Sequence, residues 1–208
     1  LNGSLVKTRA LYRGIMEDIY STYTTAATGT AFPFTDVAES RWSYPYIKEL
    51  YDAGVVSGTS ATTFSPAANV TRAQFVTMLA GLAGADVSNC PATPFRDVPE
   101  GAWYAPYVNW ALANGIVSGM SAVTFSPDAS ITRQDMAVML YSYTQRFQVH
   151  LQQQPVKPFT DAGSIAAYAQ IAVQTLQRAG VISGMPDGSF QPYGTATREQ
   201  ACTMLCML

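Results

Sequence analysis

Charge is scarce in this chain. Its 208 residues include 12 Lys+Arg and 14 Asp+Glu, 12% of the total, about half the usual globular share. A net charge of −2 argues against nucleic acid, which needs a basic face. A few converging arginines could still hold an anionic partner. Histidine is scarcer: His150 stands alone in a linker, so no metal-ligand spacing appears. The three cysteines, Cys90, Cys202 and Cys206, are an odd number and set no disulfide framework. Cys202 and Cys206 lie one helical turn apart and read as small buried apolar residues. No run of 18 apolar residues exists, so no segment inserts into a membrane as a spanning helix. No signal peptide is visible. The chain begins at Leu1 rather than Met and reads as a fragment or mature segment, so that lack says nothing about export.

What is abundant is apolar. Hydrophobic residues make up 48% of the chain, with 12 Tyr, 9 Phe and 3 Trp. That is enough to bury a core and too aromatic for disorder. With charge so low, the surface must be rich in Ser, Thr, Gln and Asn, which suits sugar contact or a crowded exterior.

Three segments repeat one pattern, beginning at Phe34, Phe95 and Phe159. Asp36 precedes Gly54 by 18 residues, as Asp97 does Gly115; Asp161 precedes Gly180 by 19, with one extra residue before Tyr168. From Gly58, Gly119 or Gly184 to the arginine of "VTRAQF", "ITRQDM" or "ATREQA" is 14 residues each time. Each unit predicts two helices. The first starts near Trp42, Trp103 or Tyr168, with Pro45 and Pro106 in its first turn, and ends at the glycine. The second opens at Thr71, Thr132 or Thr197. Gln74 and Gln200 complete capping boxes, and Asp135 is a shorter substitute. Apolar residues then recur at helical spacing, as in Phe75, Met78, Leu79 and Leu82. Tyr12, Ile15, Met16, Ile19 and Tyr23 share one face of an additional N-terminal helix. The predicted architecture is all-α: residues 1–31 form a helix and loop, and 34–84, 95–147 and 159–208 are three helix-loop-helix repeats. Units this small cannot each bury a core, so the three should form one cooperative body with pseudo-threefold symmetry.

The order F-x-D-V, Trp, "AGVVSG", F-x-P and T-R-A-Q resembles the S-layer homology (SLH) module, and the resemblance covers residues 34–208. It implies a pseudo-threefold, all-helical spindle at the bacterial cell surface, cell wall or S-layer. It also implies a non-catalytic anchor without a cofactor. Its partner would be a peptidoglycan-linked secondary cell-wall polysaccharide, often one bearing a pyruvate ketal on N-acetylmannosamine, bound in inter-repeat grooves. Carried over by motif, the groove residues are Arg72, Arg133 and Arg198; Asp36, Asp97 and Asp161; and Trp42, Trp103 and, in the Trp position of the third unit, Tyr168. Three departures stand out. "GMPDGSFQP" survives only at 184–192, the motif glutamate is Gln74, Asp135 or Gln200, and the third unit reads "FTDAGS".

The arginines pose a physical question, because each falls in a first helical turn, where a cation costs about 0.3–1 kcal/mol. A charge-assisted hydrogen bond is worth about 1.5–3 kcal/mol, so a partner can outweigh that cost. One reading gives the arginines a ligand carboxylate, held by the guanidinium fork beside free helix N–H groups. On that reading the aspartates orient the arginines or accept sugar hydroxyls, and the tryptophans face the pyranose. The other reading makes each arginine a staple to an aspartate of its own or the next repeat, with tryptophans plugging gaps and aspartates capping turns. A second functional reading is a structural surface-layer or filament component whose repeats mediate self-association. An enzyme is disfavoured: acids recurring once per repeat fit symmetry better than two dissimilar catalytic carboxyls.

Overall fold

Pro45 and Pro106 occupy first-turn positions of α1 (Tyr44–Asp52) and α3 (Ala105–Ala113), where a missing N–H costs nothing. The computed structural model describes residues 32–208; the N-terminal helix expected within residues 1–31 lies outside them. The remaining helices are α2 (Arg72–Leu82), α4 (Arg133–Arg146), α5 (Gln170–Arg178) and α6 (Arg198–Cys206). Among the described residues there is no strand, and no helix is long and apolar enough to cross a membrane. The fold is all-α, as the sequence predicts.

Helix boundaries follow the local signals. Gly54, just past α1, has φ +71°, a left-handed conformation that only glycine adopts without strain. Thr71 and Thr197 form complete capping boxes with Gln74 and Gln200. Thr132 accepts from the Asp135 amide, but the shorter Asp135 side chain makes no return bond. In the third unit the extra residue is absorbed by two 3₁₀ turns, Ala162–Ser164 and Ala167–Ala169, ahead of α5.

The helices do not pack as hairpins. Each first helix lies on the second helix of the preceding repeat: α3 on α2, α5 on α4, and α1 on α6. The last of these pairings joins the third repeat back to the first. Helix α2 also touches both α4 and α6. The predicted stripe of α2 is buried through Phe75, Met78 and Leu79, and Leu82 is half-buried. Phe64, Phe125 and Phe190 are wholly buried loop residues.

A cycle of three backbone hydrogen bonds links the repeats. Val70 N donates to Ala196 O at 3.0 Å, Ala196 N to Ile131 O at 3.3 Å, and Ile131 N to Val70 O at 3.0 Å. All three side chains are fully buried. This closed ring sets the entrance of α2, α4 and α6 side by side. It also brings each arginine against the loop of the next repeat.

Candidate functional site

The first-turn amides of the second helices are already spent. Arg72 N donates to Ala129 O at 3.0 Å and Ala73 N to Pro127 O at 3.0 Å. The equivalent bonds run from Arg133 and Gln134 to Gly194 and Pro192, and from Arg198 and Glu199 to Ala68 and Pro66. The threonine caps take the next amide. The free helix N–H groups expected beside the arginines are therefore absent, because the next repeat's loop carbonyls occupy them.

Those same loops receive the guanidinium groups. Arg72 Nε donates to Phe125 O at 2.8 Å, Arg133 Nε to Phe190 O at 2.7 Å and Arg198 Nε to Phe64 O at 2.8 Å. Their Nη2 atoms donate to Ser118 O, Ser183 O and Ser57 O. Each Cζ sits over the ring of the same phenylalanine, at 4.8, 5.1 and 4.4 Å. The arginines are only 4–5% exposed. Burial lowers all three guanidinium pKa values, offset in part at Arg72 by Asp135 and at Arg133 by Asp161. Two carbonyl dipoles and a π face thus offset the cost of a cation in a first helical turn. The arginines staple neighbouring repeats through backbone carbonyls; among the described residues an aspartate of the next repeat comes within ion-pair distance at Arg72 alone, where Asp135 lies 3.9 Å away.

The aspartates shape the receiving loops. Asp36 accepts from Phe64 N at 2.8 Å and Ser65 N at 2.7 Å. Asp97 does the same for Phe125 and Ser126, and Asp161 for Phe190 and Gln191. Ser65, Ser126 and Gln191 hold φ of 57°, 59° and 56°, a left-handed conformation that costs a non-glycine residue about 1–2 kcal/mol. Two amide bonds to one carboxylate offset that cost. Burial would raise the Asp97 carboxyl, but the Phe125 and Ser126 amides and the Arg72 charge hold it below its ordinary value. Among the described residues no ion pair joins these aspartates to the arginines. Aspartate, loop and arginine instead form a relay: Asp97 fixes the Phe125 turn, and that turn presents the carbonyl that Arg72 grips.

The aromatic positions behave differently. Trp42, Trp103 and Tyr168 are 56%, 59% and 61% exposed, so none plugs a gap between helices. Tyr168 OH donates to Asp135 Oδ1 at 2.7 Å, and Asp135 Oδ2 lies 3.9 Å from Arg72 Nη1. Arg72, Asp135 and Tyr168 come from the first, second and third repeats, so one surface cluster draws on all three. The Tyr168 hydroxyl is pushed up to about 12 by partial burial and by its bond to Asp135. Among the described residues Nη1 forms no hydrogen bond in any of the three arginines. At Arg133 and Arg198 that nitrogen is the edge left for another partner, whereas at Arg72 it faces Asp135.

The family model for the S-layer homology domain matches residues 33–76, 94–137 and 158–202. The chain belongs to the S-layer homology domain family. It is 38% identical over 208 residues to an endoglucanase of Bacillus sp. (strain KSM-635), covering 99% of this chain and 22% of the relative. It is 29% identical over 157 residues to a cellulosome-anchoring protein of Acetivibrio thermocellus, covering 74% of this chain and 35% of the relative. An S-layer protein of Bacillus thuringiensis subsp. finitimus is 25% identical over 198 residues, covering 95% of this chain and 23% of the relative. The chain thus spans about a fifth to a third of the length of these relatives. Among them the SLH repeats are shared while the named activities differ. The module is extracellular and sits at the cell surface.

Sequence reasoning did not find the phenylalanine carbonyls, the serine carbonyls or the Glu199 junction. Glu199 Oε2 accepts from Arg41 Nε at 2.8 Å and from Ser43 Oγ at 2.6 Å, and Oε1 accepts from Arg41 Nη2 at 2.9 Å. This ion pair closes the third repeat onto the first. The equivalent of Glu199 in the second repeat, Gln134, accepts from the Ala166 amide of the third. The constant eight-residue step from Phe64, Phe125 and Phe190 to the arginine was the available signal. It marks a loop of fixed length without naming the repeat that uses it.

Proposed function

We propose that this SLH module anchors its parent protein to the cell wall by binding an anionic secondary cell-wall polysaccharide, with a pyruvate-ketal sugar as the charged epitope. The observation that carries this reading is the exposure of Trp42, Trp103 and Tyr168 at equivalent positions. Flat aromatic faces left in water at three related places suit pyranose stacking, and core packing gives no reason to expose them. The buried arginines supply fixed positive charge beneath that surface, and at Arg133 and Arg198 Nη1 is the donor edge available to a ligand carboxylate. Asp36, Asp97 and Asp161 act through the loops they hold. On this reading the module binds and does not catalyse. Hydrolytic activity in relatives such as the endoglucanase would belong to their other segments.

Retention on isolated walls tests the reading. Walls carrying their polymer should hold the protein and walls stripped of polymer should release it. W103A should lower retention about tenfold with an unchanged thermal melt. Equal retention on both kinds of wall would refute polymer binding. Exposed Ile171, Tyr193 and Met120 favour a second reading, self-assembly into a surface layer. Concentration-dependent association without polymer, measured by sedimentation, would support it.

A further inference from the structure

The three arginines are not equivalent in what faces their free edge. Arg72 Nη1 has the Asp135 carboxylate at 3.9 Å, whereas among the described residues no carboxylate pairs with Arg133 or Arg198. The difference starts with one side chain. Gln74 and Gln200 turn their amides back onto their own N-cap residues. Asp135 is one methylene shorter, makes no such return bond, and accepts the Tyr168 hydroxyl instead. It is 18% exposed at the side chain, and Tyr168 stands in water beside it.

We propose that Asp135 sets the specificity of the Arg72 groove by holding, within the chain, the carboxylate that the other two arginines would take from a ligand. This rests on the anionic-polysaccharide reading above. An incoming carboxylate at Arg72 would meet a like charge and find the cation already neutralised. The Arg72 groove is therefore left for an uncharged pyranose, with Tyr168 as its platform and Asp135 as a hydroxyl acceptor. The grooves at Arg133 and Arg198 take the ketal-bearing residue.

The test is titration calorimetry with an N-acetylmannosamine glycoside carrying the pyruvate ketal. Wild type is compared with D135Q, which installs the residue of the other two repeats, and with D135N, which removes charge and keeps shape. A far-UV melt checks that both variants fold. Side-chain Nε–H signals of the three arginines report which groove responds. The expected result is one more ketal site in both variants than in wild type, with the Arg72 signal moving only in the variants. In wild type, ketal affinity at Arg72 should be on the order of tenfold to a hundredfold weaker than at the other grooves. Equal site numbers in wild type and variants, or an Arg72 response in wild type, would overturn the role of Asp135 while leaving the anionic-ligand reading intact. No binding by any of the three proteins would overturn that reading, and this proposal with it.

Discussion

Replacing Arg133 by alanine removes one of the links between the second and third repeats. The Nε bond to Phe190 O, at 2.7 Å, counts in full as a charge-assisted hydrogen bond of about 1.5–3 kcal/mol. The Nη2 bond to Ser183 O, at 3.3 Å, is long and adds about 1 kcal/mol. The cation over the Phe190 ring, 5.1 Å from its centroid, adds about 1–2 kcal/mol in this desolvated setting. Relief of the helix-dipole penalty returns about 0.3–1 kcal/mol, and an escaped desolvation cost returns more. The net loss is about 3 kcal/mol, and for a body of this size roughly 2–4 °C of melting temperature goes with each kcal/mol. R133A should therefore melt about 6–12 °C below wild type. R133K retains the charge but not the planar fork and should recover less than half of the loss. Differential scanning calorimetry reads both, and each protein should unfold in a single transition if the repeats form one cooperative body. A fall smaller than about 3 °C, equivalent to less than about 1 kcal/mol, would refute the strut. A second transition confined to R133A would instead show that this strut is what couples the unfolding of neighbouring repeats.

Two further outcomes follow from other contacts. Burial alone would raise the Glu199 carboxyl, but hydrogen bonds from Arg41 and Ser43 hold it below its ordinary value. Its folded pKa is thus depressed, so its contribution is present above the unfolded value near about 4.3 and is lost as pH falls through the folded value. E199Q should cost about 1–2 kcal/mol at neutral pH and converge on wild type in acid, as urea titrations across pH would show. At Gly119, an added Cβ would lie 2.5 Å from Phe95 Cε1 and 2.6 Å from Thr124 O, whereas at Gly101 it would meet nothing within 4 Å. G119A should lose about 1–3 kcal/mol and G101A should stay within about 0.5 kcal/mol of wild type by chemical denaturation.

The elements that sequence reasoning located are those whose determinants lie within a few residues. Thr71 with Gln74, Pro106 in a first turn and Gly54 at a helix end each act through their own backbone, so their spacing reveals them. The arginine at a first helical turn was legible as an anomaly, and the physics of the dipole rightly demanded a partner. The partner itself was not legible, because Phe125 O and Ser118 O are backbone atoms and any residue carries them. Expectation turned toward side chains and ligands for that reason. The same limit hid the role of Asp36, Asp97 and Asp161, whose partners are amides 28 to 30 residues ahead. The missing capping-box bond at Asp135 was visible as a shortened side chain. Its consequence at Arg72 depended on which repeat follows which around the ring.

That ring has an arithmetic of its own. Arg72 reaches the second repeat, Arg133 the third, and Arg198 returns to the first. Two repeats would leave one cation buried against nothing and one aspartate-held turn ungripped, and a fourth could find no seat without breaking a seal. Duplication or loss of a single unit is therefore penalised at once. Evolution can vary this module by exchanging residues at its surface, or by adding segments outside the circle, far more readily than by changing how many units it contains.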